Sequence, residues 1–123
     1  MKKLIVLVVE DSPLITERFA EILNEMDNVE QIFYARNYTE GKKLLDEIKP
    51  DIALLDINLP GKSGIDVLRL IRQQRPEINV IMITNQVTDH YKRICAALGA
   101  QYFFDKSNEF EQVPEIISNF QLS

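Results

Sequence analysis

The stretch Asp51-Ile52-Ala53-Leu54-Leu55-Asp56-Ile57-Asn58-Leu59-Pro60 decides the fold. An apolar run carries a single acid, Asp56, to its far end, and Pro60, Gly61 and Gly64 then break the pattern. A short run of this kind predicts a strand over Ile52 to Asp56, buried on both faces of a parallel sheet. A carboxylate is costly where water is scarce and rarely sits there without a partner or a task. What surrounds Asp56 therefore matters as much as the strand itself.

Similar runs lie on either side. Leu4 to Val9 is short, unbroken and rich in β-branched residues, and Glu10-Asp11 follows it at once. Ile78 to Thr84 has Val80-Ile81-Met82-Ile83 as its apolar centre. Val29 to Ala35 is more polar and belongs nearer a sheet edge, and Tyr102-Phe103-Phe104 is a short aromatic strand. Between the strands, apolar residues recur at helical spacing. Ile15, Phe19, Ile22, Leu23 and Met26 follow a Ser12-Pro13 start, and Leu44, Leu45 and Ile48 run from Asn37 to a stop at Pro50. Ile65, Leu68 and Ile71 are stopped by Pro76. Tyr91, Ile94, Cys95 and Leu98 follow a cap at Thr88 or Asp89 and end at Gly99. Phe110, Val113, Ile116, Ile117 and Phe120 form the last helix, in which Pro114 is tolerable only near the first turn. Strand and helix thus alternate five times, which predicts an α/β, doubly wound, five-stranded parallel sheet with right-handed crossovers.

Size and charge narrow the function. The 123 residues suit one domain, with 46% hydrophobic and 27% charged residues. A net charge of −5 without a basic stripe argues against direct nucleic-acid binding. Cys95 stands alone, so neither a disulfide framework nor a multi-cysteine metal site is available. No apolar run approaches the roughly 18 residues of a membrane span. Met1-Lys2-Lys3 and the apolar run after it superficially resemble a signal peptide, but Glu10-Asp11 stops that run with no small-residue cleavage site. A cytoplasmic location is expected.

In an open parallel sheet, ligands bind beyond the carboxyl ends of the strands. Glu10 and Asp11 follow the first strand, Asp56 ends the third, Thr84 ends the fourth and Lys106 follows the fifth, so all five share that edge. Three crowded carboxylates repel one another, and protonation, Lys106 or a divalent cation can relieve them. Oxygen donors without His or Cys suit Mg²⁺ or Mn²⁺ rather than Zn²⁺. A carboxylate beside a hydroxyl, an ammonium and such a cation is suited to receiving a phosphoryl group as nucleophile.

Over essentially its whole length the chain resembles the receiver domain of two-component response regulators. The resemblance rests on Val8-Val9-Glu10-Asp11-Ser12, on Leu54-Leu55-Asp56-Ile57-Asn58-Leu59-Pro60 with Gly64, on Ile83-Thr84, and on Phe103-Phe104-Asp105-Lys106. It implies a flavodoxin-like (βα)5 fold with strand order 2-1-3-4-5. It implies that Asp56 accepts a phosphoryl group from a sensor histidine kinase or a histidine phosphotransfer protein. Glu10, Asp11, Asp56 and the backbone carbonyl of Asn58 would hold Mg²⁺ or Mn²⁺. Thr84 and Lys106 would contact the phosphoryl group, and Thr84 with Phe103 would form the switch that remodels the surface of helix 4, strand 5 and helix 5. A phosphorylation-dependent dimer and an output partner protein are compatible with that role. Residues 1–123 would be the receiver, with no output domain and no separate enzyme substrate.

Some positions depart from the family pattern. Glu10 stands where Asp is more frequent, and Asn85 follows Thr84 where a small residue is usual. Ser107 replaces the common Pro after Lys106, where a cis bond without Pro would cost roughly 2.5–4 kcal/mol. Asn58 and Gln86 flank the site at positions expected to set signal lifetime. Three rival functions share parts of this pattern. A degenerate receiver is disfavoured by the complete residue set. A haloacid-dehalogenase-type phosphatase needs a second acid where Asn58 stands, and a flavin binder needs a hydroxyl- and Gly-rich loop after the first strand. His90 lacks partners for a phosphate-carrying role and is expected at the surface.

Overall fold

The computed structural model describes residues 3–120. Met1 and Lys2 of the signal-like start, and residues 121–123, lie outside the described residues. The elements alternate as β1 (Leu4–Val9), α1 (Pro13–Leu23), β2 (Val29–Ala35), α2 (Tyr38–Glu47), β3 (Ile52–Leu55), α3 (Gly64–Gln74), β4 (Asn79–Thr84), α4 (Asp89–Ala97), β5 (Tyr102–Asp105) and α5 (Gln112–Ser118). The strands form one parallel sheet in the order β2-β1-β3-β4-β5, as expected.

The unbroken apolar strands are explained by burial on both faces. Leu7, Val9, Ala53, Leu55, Val80 and Met82 join one core, with Leu68 and Ile71 of α3 and Cys95 of α4. Their strand neighbours Val6, Val8, Ile52, Leu54, Ile81 and Ile83 join the other, with Phe19 and Leu23 of α1 and Ile117 of α5. The two-residue period of a strand sends alternate side chains to opposite layers, so the middle of a central strand is left to apolar residues, and β4 carries its polar Asn79 and Thr84 at its two ends. The edge strand β2 has only one partner and exposes Glu30 and Gln31.

Caps fall where the sequence placed them. Ser12, Asn37 and Thr88 accept backbone N–H groups at the starts of α1, α2 and α4. Ser63 and Asp66 form a reciprocal capping box on α3. Gly99 follows α4 with a φ of 83°, in the left-handed region that favours glycine. The last helix is shorter than its apolar spacing suggests. It begins at Gln112, so Phe110 lies in the preceding turn, where its ring packs 4.7 Å from that of Phe19. Pro114 is the third helical residue, where a missing N–H costs no intrahelical bond. The strand β3 also stops one residue early, at Leu55, leaving Asp56 as the first residue beyond the sheet.

Candidate functional site

Backbone pairing fixes where each acid emerges. The Glu10 N–H donates to Ala35 O at 2.9 Å and the Asp56 N–H to Val9 O at 3.1 Å. Both residues are therefore held to β1 and its neighbours, one step past the strand ends. Glu10 is 3% exposed, Asp56 4%, Thr84 0% and Lys106 8%, and these are the buried polar or charged residues among the described ones. The side chains of Glu10, Asp56 and Lys106 meet, and Thr84 ends the neighbouring strand β4, whereas Asp11 is exposed.

Lys106 neutralises the centre. Its Nζ donates to Asp56 Oδ2 at 2.8 Å and lies 2.6 Å from Glu10 Oε1. The Glu10 contact is an ion pair without hydrogen-bond alignment, so Oε1 is buried with no directed donor. Its second oxygen, Oε2, accepts the Ser12 N–H at 3.0 Å. Burial pushes the Glu10 carboxyl above its ordinary value, and neither Lys106 nor the Ser12 N–H fully compensates. Burial alone would lower the Lys106 ammonium, but Asp56 and Glu10 together hold it above its ordinary value. The asymmetry is physical: one ammonium receives two negative partners and must divide itself between them.

Carboxylate oxygens of Glu10, Asp11 and Asp56 can all lie within 4.8 Å of one another. A hard, oxygen-only donor set with one undirected buried oxygen fits a small divalent cation. Asn58 reaches the cluster through its backbone N–H, which donates to Asp56 Oδ1 at 3.2 Å. Thr84 ends β4, and its Oγ1 accepts the Gln86 N–H at 3.1 Å, leaving the hydroxyl hydrogen able to donate elsewhere. Phe103 is half-buried on β5, paired in register with Met82 and packed against the core that includes α4. His90 is exposed. The Lys106–Ser107 peptide bond is trans, as are all others among the described residues.

Gly64 carries a requirement that its place in the motif did not reveal. A Cβ there would overlap the carbonyl oxygen of Asp56. Only a residue without a side chain lets α3 start this close to the loop behind the acid. The Gly-after-Pro spacing marked a turn, but the contact is made across a loop of seven residues and could not be read from spacing.

Fold and site together define a flavodoxin-like protein with carboxylates, a hydroxyl and an ammonium gathered at the carboxyl edge of its sheet. The chain belongs to the response regulator receiver domain family, whose model matches residues 6–118. It is thus a receiver of two-component, phosphorelay signalling, a family whose domains bind a divalent metal. It is 28% identical over 116 residues to the probable C4-dicarboxylate response regulator DctR of Bacillus subtilis, covering 94% of this chain and 51% of that one. The chain spans about half the length of the first such relatives. The response regulator domain of Thermotoga maritima CheB is 25% identical with a TM-score of 0.84, covering 98% of this chain and all (100%) of that one. The Mn²⁺-bound form of response regulator Rcp1 shares the fold at 21% identity and a TM-score of 0.83, covering 98% and 99%. Among the described residues, no helix is long and apolar enough to cross a membrane.

Proposed function

We propose that Asp56 is the phosphoacceptor of this receiver and that Glu10, Asp11, Asp56 and the backbone carbonyl of Asn58 hold the divalent cation it requires. The observation that carries this reading is the buried cluster in which Lys106 Nζ lies 2.8 Å from Asp56 Oδ2 and 2.6 Å from Glu10 Oε1. An acid held in such a position is oriented, desolvated and beside a cation, which is what a carboxylate nucleophile needs. The metal, Mg²⁺ or Mn²⁺, would supply charge neutralisation on the transferring oxygens. The Mn²⁺-bound form of Rcp1, on the same fold, supports that choice.

In the reaction, one Asp56 oxygen attacks the phosphorus of a phosphohistidine on a sensor kinase or phosphotransfer protein. The P–N bond breaks, its electron pair stays on the imidazole, and an acyl phosphate forms on Asp56. Lys106 transfers its hydrogen bond from the carboxylate to a phosphoryl oxygen, and the Thr84 hydroxyl donates to another. Movement of Thr84 toward that oxygen pulls the end of β4, and Phe103 follows into the space vacated near α4. The surface of α4, β5 and α5 then changes, biasing contact with a partner protein or a second copy of the chain. No substrate is turned over apart from the chain's own phosphoryl group, and the reading places the protein in the cytoplasm, where kinases and nucleotides are.

Incubation with acetyl phosphate and Mg²⁺ tests the proposal by intact mass. Wild type should gain the mass of one phosphoryl group, while Asp56→Asn should gain none and keep the circular dichroism spectrum of the folded protein. Equal uptake by Asp56→Asn would sink the assignment. Loss of uptake on chelation with EDTA, restored by Mn²⁺, tests the metal separately.

A further inference from the structure

Two departures from the family pattern meet in space. Asn85 and Ser107 immediately follow Thr84 and Lys106, and Ser107 Oγ donates to Asn85 Oδ1 at 3.0 Å across 22 residues of chain. Just inside this bond, the Lys106 N–H donates to Thr84 O at 3.0 Å, and Thr84 with Asp105 is the last registered pair of the sheet. The bond therefore joins the β4–α4 loop to the β5–α5 loop one step outside the sheet.

Each loop is braced on its own side. In the first, the Gln86 N–H is fixed to Thr84 Oγ1 at 3.1 Å. In the second, Asp105 accepts the Ser107 N–H at 2.9 Å and the Asn108 side-chain amide at 3.0 Å, while its own N–H donates to Glu109 at 2.9 Å. Two stiff loops joined by one side-chain bond behave as a unit, and they adjoin Thr84, the last residue of β4, and Lys106, whose ammonium bonds Asp56. Both bridging residues are exposed, so the bond is not needed to build the core.

We propose that the Asn85–Ser107 hydrogen bond is a strap across the β4–β5 rim of the acceptor site that lengthens the life of the phosphoryl group on Asp56. The inference rests on Asp56 being the phosphoacceptor. Hydrolysis requires water to attack phosphorus as the acyl O–P bond breaks, the electron pair returning to the Asp56 carboxylate. The water's proton leaves with inorganic phosphate or to solvent. The strap holds Thr84 and Lys106 at a fixed separation and narrows the gap between their loops through which that water enters. Asn85 and Ser107 are thus positioning residues, acting through the two groups that precede them.

The test is a double-mutant cycle on phosphate lifetime. Wild type, Asn85→Ala, Ser107→Ala, the double variant and Ser107→Thr are phosphorylated with acetyl phosphate and Mg²⁺, freed of donor, and followed by intact mass. Each alanine variant should shorten the half-life roughly two- to tenfold, the range that the loss of one partly exposed hydrogen bond allows. The double variant should be no shorter-lived than the more affected single, and Ser107→Thr, which keeps the hydroxyl, should match wild type. Unchanged or lengthened half-lives, or single effects that multiply in the double, overturn the strap while leaving Asp56 as acceptor. Failure of wild type to take up phosphate overturns the acceptor assignment and the strap with it.

Discussion

Glu10, Asp56 and Lys106 form a centre almost wholly out of water, whereas Asp11, Asn58, Asn85 and Ser107 ring the same edge in full contact with it. The same residue types obey different energetics in the two places. Inside, every charge carries a desolvation cost, so removing one partner leaves the others stranded. At the rim, solvent screens the charges and each hydrogen bond adds only about 0.5–1.5 kcal/mol net, too little to decide the fold but enough to shift a rate. The inner residues are thus bound into the fold itself, whereas changes at the rim leave the fold intact, as the proposed kinetic and metal-binding roles there require. The centre also explains why a protein would keep two buried acids at all: each is a stability burden that only a lysine or a metal ion relieves.

Breaking the centre should have the largest effect. Lys106→Met leaves Glu10 and Asp56 buried without their shared ammonium and should cost about 3–5 kcal/mol in urea denaturation without metal. Adding Glu10→Gln to that variant should recover part of the loss. A cost below about 1 kcal/mol would place Lys106 with the rim residues energetically.

Acid should act on Glu10 with a definite sign. Burial raises its carboxyl above the ordinary value of 4.5 in the folded protein, so the native state holds this proton more tightly than the unfolded chain. The resulting stabilisation is fully present below pH 4.5 and is lost as pH rises through the folded value. The stability of metal-free wild type relative to Glu10→Gln should therefore fall as pH rises through that window. A difference that rises instead would mean that the Lys106 ion pair outweighs burial at Glu10.

The rim should respond least. Asp11→Asn should change metal-free stability by no more than about 0.5 kcal/mol, as expected for an exposed side chain. It should nonetheless weaken the rise in melting temperature produced by Mg²⁺, because it removes one of the three clustered carboxylates. Equal Mg²⁺ titration midpoints for the variant and wild type would remove Asp11 from the proposed metal set.

Much of this was legible beforehand for physical reasons. The strands β1 and β4 were legible because burial on both faces leaves Leu4 to Val9 and Val80 to Ile83 to apolar residues. Glu10, Asp11, Asp56, Thr84 and Lys106 could be gathered because all parallel strands point the same way, which turns position along the chain into position in space. The start of α5 was less legible. Phe110 has the spacing of a helical residue, but it lies in a turn with its ring packed at a tilt against Phe19, a partner from α1. The carboxyl end of β3 was misplaced by one residue, because Asp56 bonds to Val9 O while its side chain already belongs to the site.

By itself, then, the amino-acid sequence determined the alternation of elements, the layers they pack into and the edge at which the polar residues emerge. These follow from hydrophobic periodicity and from the chirality of the chain, both local properties. Tertiary structure alone decided that one lysine serves two acids, that Gly64 must be bare to lie against the Asp56 carbonyl, and that Asn85 meets Ser107. Such contacts join residues as much as 96 positions apart, as Lys106 and Glu10 are. Their geometry depends on where side-chain ends arrive after the sheet has closed, and no local pattern encodes that.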